Sequence, residues 1–389
     1  MQIKRLIYTL LAMIIYTSAF TQEISSLQAA NATSLQLYNQ YQWTDLLKFG
    51  KNSIDSGIDF PLLRMRTGYA AFMLGNYSES MRQYESVYLA DNENEISIYY
   101  LYLNNLLLNN LQGARYYASQ LGESVRKENG IIPFKISQLD AEFSQKKPDA
   151  TYRGDASYTR FGLTTLLGYK ITLHQSVAFF NQMINEPALT SVINNNAINN
   201  NQKDYYAKAD IAVSGNLTFL GGFHYFNAPF NNLLYHNLVG FGGLNYASKL
   251  IQLKGLLQVG TIRSASIKQF DAVLTTYPLG NTKFYTISRA AFANDLALTQ
   301  VLGYSPVKRV WLEANTTIGS YRTMLNNDAM YLYDDIDLKK SRYGASVYLS
   351  MGTKVMLRMN YTHDVKIRYG SPTSLFNQQS ITGGLQCNF

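Results

Sequence analysis

The sequence holds a single cysteine, Cys387, and only four histidines, His174, His224, His236 and His363. One thiol forms no internal disulfide, and scattered imidazoles lack the close spacing of a zinc site, so neither cross-links nor a structural metal are expected. Charge is scarce too, at 15% of 389 residues, against about a quarter in an average soluble protein. Beyond the first twenty residues no apolar run is long enough to cross a bilayer as a helix, which excludes a helical membrane protein. The GxSxG, HExxH and phosphate-cradling glycine patterns are missing as well. Aromatics, by contrast, are abundant: 31 Tyr, 19 Phe and 2 Trp in a chain that is 47% hydrophobic. Such a composition excludes a disordered chain.

The first 21 residues read as a secretory signal peptide, with Lys4 and Arg5 before an apolar stretch from Leu6 to Tyr16 and small residues from Thr17 to Ala19. Cleavage is expected after Thr21, and the mature protein leaves the cytoplasm. Composition then divides the remainder. Residues 22–130 carry 8 Lys and Arg against 11 Asp and Glu, a net of 3 negative, whereas 131–389 carry 24 against 15, a net of 9 positive.

A shift of 34 residues aligns the first of these segments with itself: Trp43, Tyr77 and Leu111 fall in one column, and Leu46, Ser80 and Ala114 in the next. In the middle copy Gly68, Gly75, Tyr77, Ser80, Tyr84 and Val87 supply small and aromatic side chains at the spacing of a helical hairpin, where a small residue lets two helices approach and an aromatic fills the groove against the neighbouring pair. This pattern resembles a tetratricopeptide repeat; Gly50 and Ala118 depart from it in the outer copies, as terminal units do. The first helices of the units are predicted at Leu27 to Asn39, Pro61 to Leu74 and Ile96 to Leu108. Trp43, Gly68, Gly75, Tyr77, Tyr84, Leu111 and Ala114 are the expected repeat core. The resemblance implies a periplasmic domain that docks a protein partner.

From Ile131 the period changes from helical to two. Val355, Leu357, Met359, Tyr361, Val365 and Ile367 share one face and Arg358, Asn360, Thr362, Asp364 and Lys366 the other; Tyr205 to Val213 and Ile251 to Val259 alternate likewise. Segments of ten or more such residues suit tilted membrane strands better than the shorter strands of soluble sheets. Short connections at Ser214 to Asn216, Ala247 to Lys249, Ser305 to Lys308 and Met351 to Thr353 interleave with long polar stretches at Asn185 to Lys203 and Thr323 to Lys340. That rhythm predicts a transmembrane antiparallel β-barrel. Counting back from Phe389 gives thirteen strands, and the even number that a barrel with both ends periplasmic requires adds Ile131 to Phe143; fourteen is predicted, with twelve if two segments merge. The fold class is thus α + β in two domains, with Phe389 as the terminal aromatic that resembles a barrel-assembly signal. Tyr169, Tyr246, Tyr304 and Tyr361 are expected as girdle aromatics near strand ends.

On the inward faces the alternation places Lys170, Lys208, Lys254, Arg289, Arg358, Lys366 and Arg368 against Asp210, Asp271, Glu313 and Asp364. Unpaired, these bases would favour anions; paired across the barrel, they would not. Nucleic acid is not an expected partner, because the basic residues are dispersed. An enzyme is not expected either, since His363 and Asp364 point to opposite faces of one strand; a hydrolase at the barrel rim, or a plain structural barrel, is the alternative. No cofactor is expected. The whole plan resembles outer-membrane proteins that join a periplasmic helical repeat to a pore, such as the YaiO-like barrels and the exporters of poly-N-acetylglucosamine and cellulose. It implies outer-membrane lipid, the barrel assembly machinery and a periplasmic protein as partners.

Overall fold

The computed structural model describes residues 26–186, 197–230, 233–332 and 336–389. The expected signal peptide and Asn194 to Asn196 of the asparagine-rich tract lie outside the described residues. The chain divides into two compact units, Met1–Leu108 and Asn109–Phe389.

In the first unit α1 (26–39), α2 (Trp43–Asp55), α3 (Pro61–Met73), α4 (Tyr77–Ala90) and α5 (Glu95–Leu107) follow one another through short connections. Each boundary has a local cause. Pro61 opens α3 with a preset φ, and the side chains of Asn76 and Asn94 accept from the backbone N–H of Glu79 and Ser97 at 3.1 and 2.9 Å, capping α4 and α5. Gly75 turns the chain after α3 at φ +73°, a conformation that side chains with a Cβ resist. Packing uses the small residues: a Cβ on Gly68 would sit 2.9 Å from the Tyr84 ring. Tyr84 is 1% exposed and stacks on Tyr100 with centroids 4.6 Å apart. Asn104 donates to the buried Ser80 hydroxyl at 2.9 Å, tying α5 to α4. Trp43 meets Tyr38 and Tyr69 edge to face at 5.7 and 5.3 Å and is half-buried rather than enclosed.

The second unit starts with α6 (Leu111–Ala118) and α7 (Glu123–Glu128). Ala114 is fully buried, whereas Leu111 is 54% exposed: at the first position of α6 its side chain lies off the packed face, which corrects its placement in the repeat core. Helix gives way to strand between Glu128 and Phe134. The strands are β1 (Phe134–Pro148), β2 (Arg153–Leu167), β3 (Ile171–Ile184), β4 (Ile198–Ala212), β5 (Leu217–Phe230), β6 (Leu233–Ala247) and β7 (Ile251–Ile262). Then come β8 (Ala265–Thr276), β9 (Phe284–Phe292), β10 (Leu296–Val307), β11 (Val310–Tyr321), β12 (Leu338–Met351), β13 (Val355–Ile367) and β14 (Leu375–Asn388). Every strand pairs antiparallel with its sequence neighbours, and β1 pairs with β14 from Gln138↔Asn388 to Pro148↔Gln378, closing a fourteen-stranded barrel. Closure leaves no edge, so backbone groups of the strands find partners within the wall.

The outer face is apolar: Leu139, Phe161, Phe179, Phe219, Leu257, Phe270, Leu298 and Leu349 are among its exposed side chains. A continuous belt of this kind is stable only against lipid, and the barrel is a transmembrane one. Among the described residues no helix is long and apolar enough to cross a membrane. Tyr246 and Tyr304 lie outward near strand ends, but Tyr361 sits at the middle of β13 and Tyr169 in a turn. Phe389 follows β14 directly, its N–H bonded to the Ser137 carbonyl at 3.0 Å and its side chain exposed. The end of the barrel that carries the first and last strand termini has the expected short turns. At the opposite end, long connections follow β3 and β11; Lys203 and Lys340, expected in loops, belong to β4 and β12.

Candidate functional site

Residues 323–332 and 336–337, part of the stretch Thr323 to Lys340 expected as an outer loop, instead turn into the barrel. Leu325, Ala329, Leu332 and Ile336 are almost wholly buried, and the first three pack with Tyr206, Leu220, Phe226, Val239, Phe241 and Leu256 from the inner wall. The reason lies in composition: a loop with four apolar residues gains by burying them, and the lumen offers polar anchors for the backbone between them. Gln269 brackets Leu325, its Oε1 accepting from the Leu325 N–H at 3.0 Å and its Nε2 donating to the Leu325 carbonyl at 2.9 Å. Gln202 donates to the Leu332 carbonyl at 2.9 Å and Tyr206 to that of Asp328 at 3.1 Å. His224 lies 2.6 Å from the Ala329 carbonyl.

Charge fastens the same loop. Asp328 lies between Lys208, at 3.2 Å, and Lys254. Burial pushes its carboxyl up, but the two ammonium groups outweigh burial and hold it at about 2. Asp337 accepts from Arg153 at 2.7 Å, with both side chains buried, and the Tyr331 hydroxyl donates to Glu142 at 2.7 Å.

The inward bases of the sequence analysis can now be placed. Lys208 also contacts Asp210 at 3.2 Å, and Arg289 holds Asp271 at 2.7 Å and the Leu325 carbonyl at 2.5 Å. Arg358 pairs with Glu142, and Lys366 donates to Gln378 at 3.1 Å. Arg368, beyond the end of β13, pairs with Glu186 at 2.9 Å. Lys170 lies in the β2–β3 turn, outside the strands, with its ammonium 5.2 Å from the Tyr116 ring centroid. Five of the seven, Lys208, Lys254, Arg289, Arg358 and Arg368, therefore meet a carboxylate, as the paired reading has it, while Lys366 and Lys170 contact an amide and a ring. The acids were mostly unmarked by alternation alone: Asp328 and Asp337 come from the inserted loop, Glu186 from beyond the end of β3, and Glu142 from weakly alternating β1. Two further inward pairs, Arg160 with Asp140 and Arg342 with Asp364 at 2.6 Å, complete the network.

At the end with the short turns, α6 is fastened to the barrel. Gln112 donates to the Thr172 hydroxyl at 3.1 Å, Arg115 to the Gly168 carbonyl and Asn110 to the Gly215 carbonyl at 3.0 Å. The Tyr117 ring lies so close that a Cβ on Gly215 would be 2.5 Å from it. Between Gln112 and the loop residues Asn327 and Asp328 lies a chamber of about 410 Å³, walled by β4, β5, β6, β7, β8 and β9.

His174 stands between Thr164, 3.1 Å from Nδ1, and Asp210, 3.0 Å from Nε2. The sequence suggests no such chain, because the three residues sit on different strands. Its geometry clamps the imidazole: Thr164 is largely buried, and Asp210 is shared with Lys208. Backbone around Thr164 is paired in the ladders with β1 and β3. Among the described residues no group of His, Cys, Asp and Glu could hold a metal ion.

No protein-family model and no curated protein matches the sequence. Among solved structures the chain is similar to the translocator domain of the autotransporter NalP from Neisseria meningitidis, at 11% identity over 73% of this chain and 97% of that one, with a TM-score of 0.35. It is similar to a Pseudomonas aeruginosa FadL homologue at 9% identity, 71% and 92% coverage and a TM-score of 0.42. The Acinetobacter baumannii outer membrane protein Omp33 matches at 9% identity, 65% and 99% coverage and a TM-score of 0.38.

Proposed function

We propose that the chain is a bacterial outer-membrane pore or export component whose lumen is closed at rest by residues 323–332, and whose N-terminal helices form a periplasmic tetratricopeptide-like array that docks a protein partner. The observation that carries this reading is the loop within a polar, charge-lined lumen: a barrel needing only structural support has no use for a passage and a separate closure. The array is supported by a backbone period. Tyr41, Gly75 and Asn109, spaced by 34, all take positive φ (57°, 73° and 58°), and two residues after each begins a helix, at Trp43, Tyr77 and Leu111. The plan is that of the YaiO-like barrels and polysaccharide exporters, with Phe389 read by the barrel assembly machinery. The reading is of a conduit and not a catalyst, supported by the burial of Thr164, the hydroxyl beside His174.

Purified protein in planar bilayers tests the core of this reading: a small, flickering conductance is expected from the intact chain, and a permanently insulating barrel even after loop removal would overturn it. With most of the lumenal bases against carboxylates, the reversal potential in a salt gradient should stay near zero; strong anion selectivity would contradict the pairing argument. Orientation is tested on intact cells. An epitope at Asn294, in the turn between β9 and β10, should be labelled, and one at Ser34 in α1 should not; equal labelling of both would reverse the assignment.

A further inference from the structure

The lipid-facing wall carries polar side chains at mid-height. Ser288 is the middle residue of β9, and the ladder sets it beside Gln300 on β10, with Gln300 beside Thr316 on β11. Arg289 points into the lumen, where it holds Asp271, so by alternation and register Ser288, Gln300 and Thr316 face outward. They share that face with Leu298, Leu302 and Ile318, which are exposed, whereas the three polar residues are half-buried. Their polar atoms lie low in a groove of about 810 Å³ whose sides include Leu274, Leu298 and Ile318 and where Gly255, Ala272 and Ala290 add little height.

Part of this polarity is satisfied from within. The Ser288 hydroxyl donates to Gln300 Oε1 at 2.6 Å, and Gln300 Nε2 donates to the Val301 carbonyl at 3.2 Å. One amide N–H of Gln300 is left over, and the buried Thr316 hydroxyl has no hydrogen-bond partner among the described residues. In the lumen, water would complete such groups. Midway across a bilayer, hydrocarbon tails offer neither donor nor acceptor, so a polar group there is costly until another polar group meets it. A matching occupant is apolar along the sides of the groove and brings hydrogen-bonding groups at the same depth.

We infer that the occupant is a second copy of this chain, and that the outer face of β9, β10 and β11 is a dimer interface within the membrane. Two identical barrels inserted in the same direction are related by an axis along the membrane normal, so each residue meets the other copy at its own depth. A primary amide is both donor and acceptor, so Gln300 complements itself across that axis, and the Thr316 hydroxyl adds a second group of the same kind. Leu298 and Ile318 of one copy then seat against the groove of the other, and the small residues let the walls approach. The interface goes beyond the conduit reading and stands or falls apart from it.

Sedimentation equilibrium of the full chain in a density-matched neutral detergent reads the association. A monomer–dimer equilibrium is expected, and Gln300→Leu should weaken it at least roughly tenfold, the equivalent of about 1.4 kcal/mol. Leucine suits hydrocarbon better than an amide does, so this variant should fold, which heat-modifiable migration reports. Thr316→Val, close in shape, is the second variant and should weaken the dimer less. In native membranes, with Cys387→Ser as background, Leu298→Cys should give a disulfide-linked dimer on oxidation, and Phe161→Cys, outward on β2, should not. A monomer at every concentration, a dimer indifferent to both Gln300→Leu and Thr316→Val, or equal cross-linking at the two positions would each overturn the inference. So would a monomer that keeps a co-purified lipid which Gln300→Leu releases, since lipid would then be the occupant. A dimer without any conductance would leave this interface standing and remove the pore reading; conductance from a strict monomer would do the reverse.

Discussion

Replacing residues 323–336 by a short Gly-Ser turn is expected to raise single-channel conductance by roughly tenfold or more, since the loop occupies the lumen at the level of Tyr206, Phe241 and Leu256. The barrel wall does not depend on the loop, because each strand is hydrogen-bonded to both neighbours, so the shortened protein should keep its heat-modifiable migration. Asp328→Asn is the finer test. It leaves Lys208 and Lys254 facing a neutral amide, and removing one partner of a buried pair costs about 3 to 5 kcal/mol. Leu325 and Leu332 remain buried, and full burial of such side chains contributes roughly 1.5 to 3 kcal/mol each. The variant should therefore flicker open more often without losing the closed state. Acid should not imitate it at ordinary pH. The carboxyl is held at about 2, below its ordinary value, so its contribution is complete above the usual carboxylate range and lost only as pH falls through about 2. Identical conductance of the deletion and intact proteins would show that the loop is not the closure.

Tyr84→Ala should unfold the helical unit and spare the barrel. The phenol ring is enclosed between Gly68 on α3 and the stacked Tyr100 on α5, and truncating a fully buried large aromatic costs roughly 3 to 5 kcal/mol. A unit of five short helices has only about 5 to 15 kcal/mol of total stability to lose. Far-ultraviolet circular dichroism of the full chain should show loss of the helical signal, with rapid proteolysis confined to the segment before Leu108 and a barrel that still shifts on heating. Gly68→Ala should act in the same direction and more weakly, because its new methyl would press on the same ring. A Tyr84→Ala protein with unchanged helical content would mean that the repeat columns are not what holds these helices.

The helix starting at Pro61 and the strands of the barrel were legible because their causes are local: a proline, or alternation between lipid and lumen along a single strand. Fourteen strands followed from alternation and parity, and the missing first strand from the need for an even count. Leu111 was misjudged as core because a column in an alignment records position along a helix and not which side meets a neighbour.

The lumen was not legible, since its pairs join residues far apart in sequence: Glu142 with Arg358 and Arg153 with Asp337. The inserted loop did carry a signal in Leu325, Met330, Leu332 and Ile336, too many apolar residues for a segment meant for water. Sequence by itself determined that a lipid-facing barrel follows a helical segment, because secondary structure and the apolar outer face depend on near neighbours and period. Only the tertiary structure decided that most of the inward bases meet carboxylates, that the loop turns inward and that α6 and α7 belong with the barrel. Those outcomes rest on which wall each side chain meets across the lumen, and chain order does not encode distance across a closed barrel.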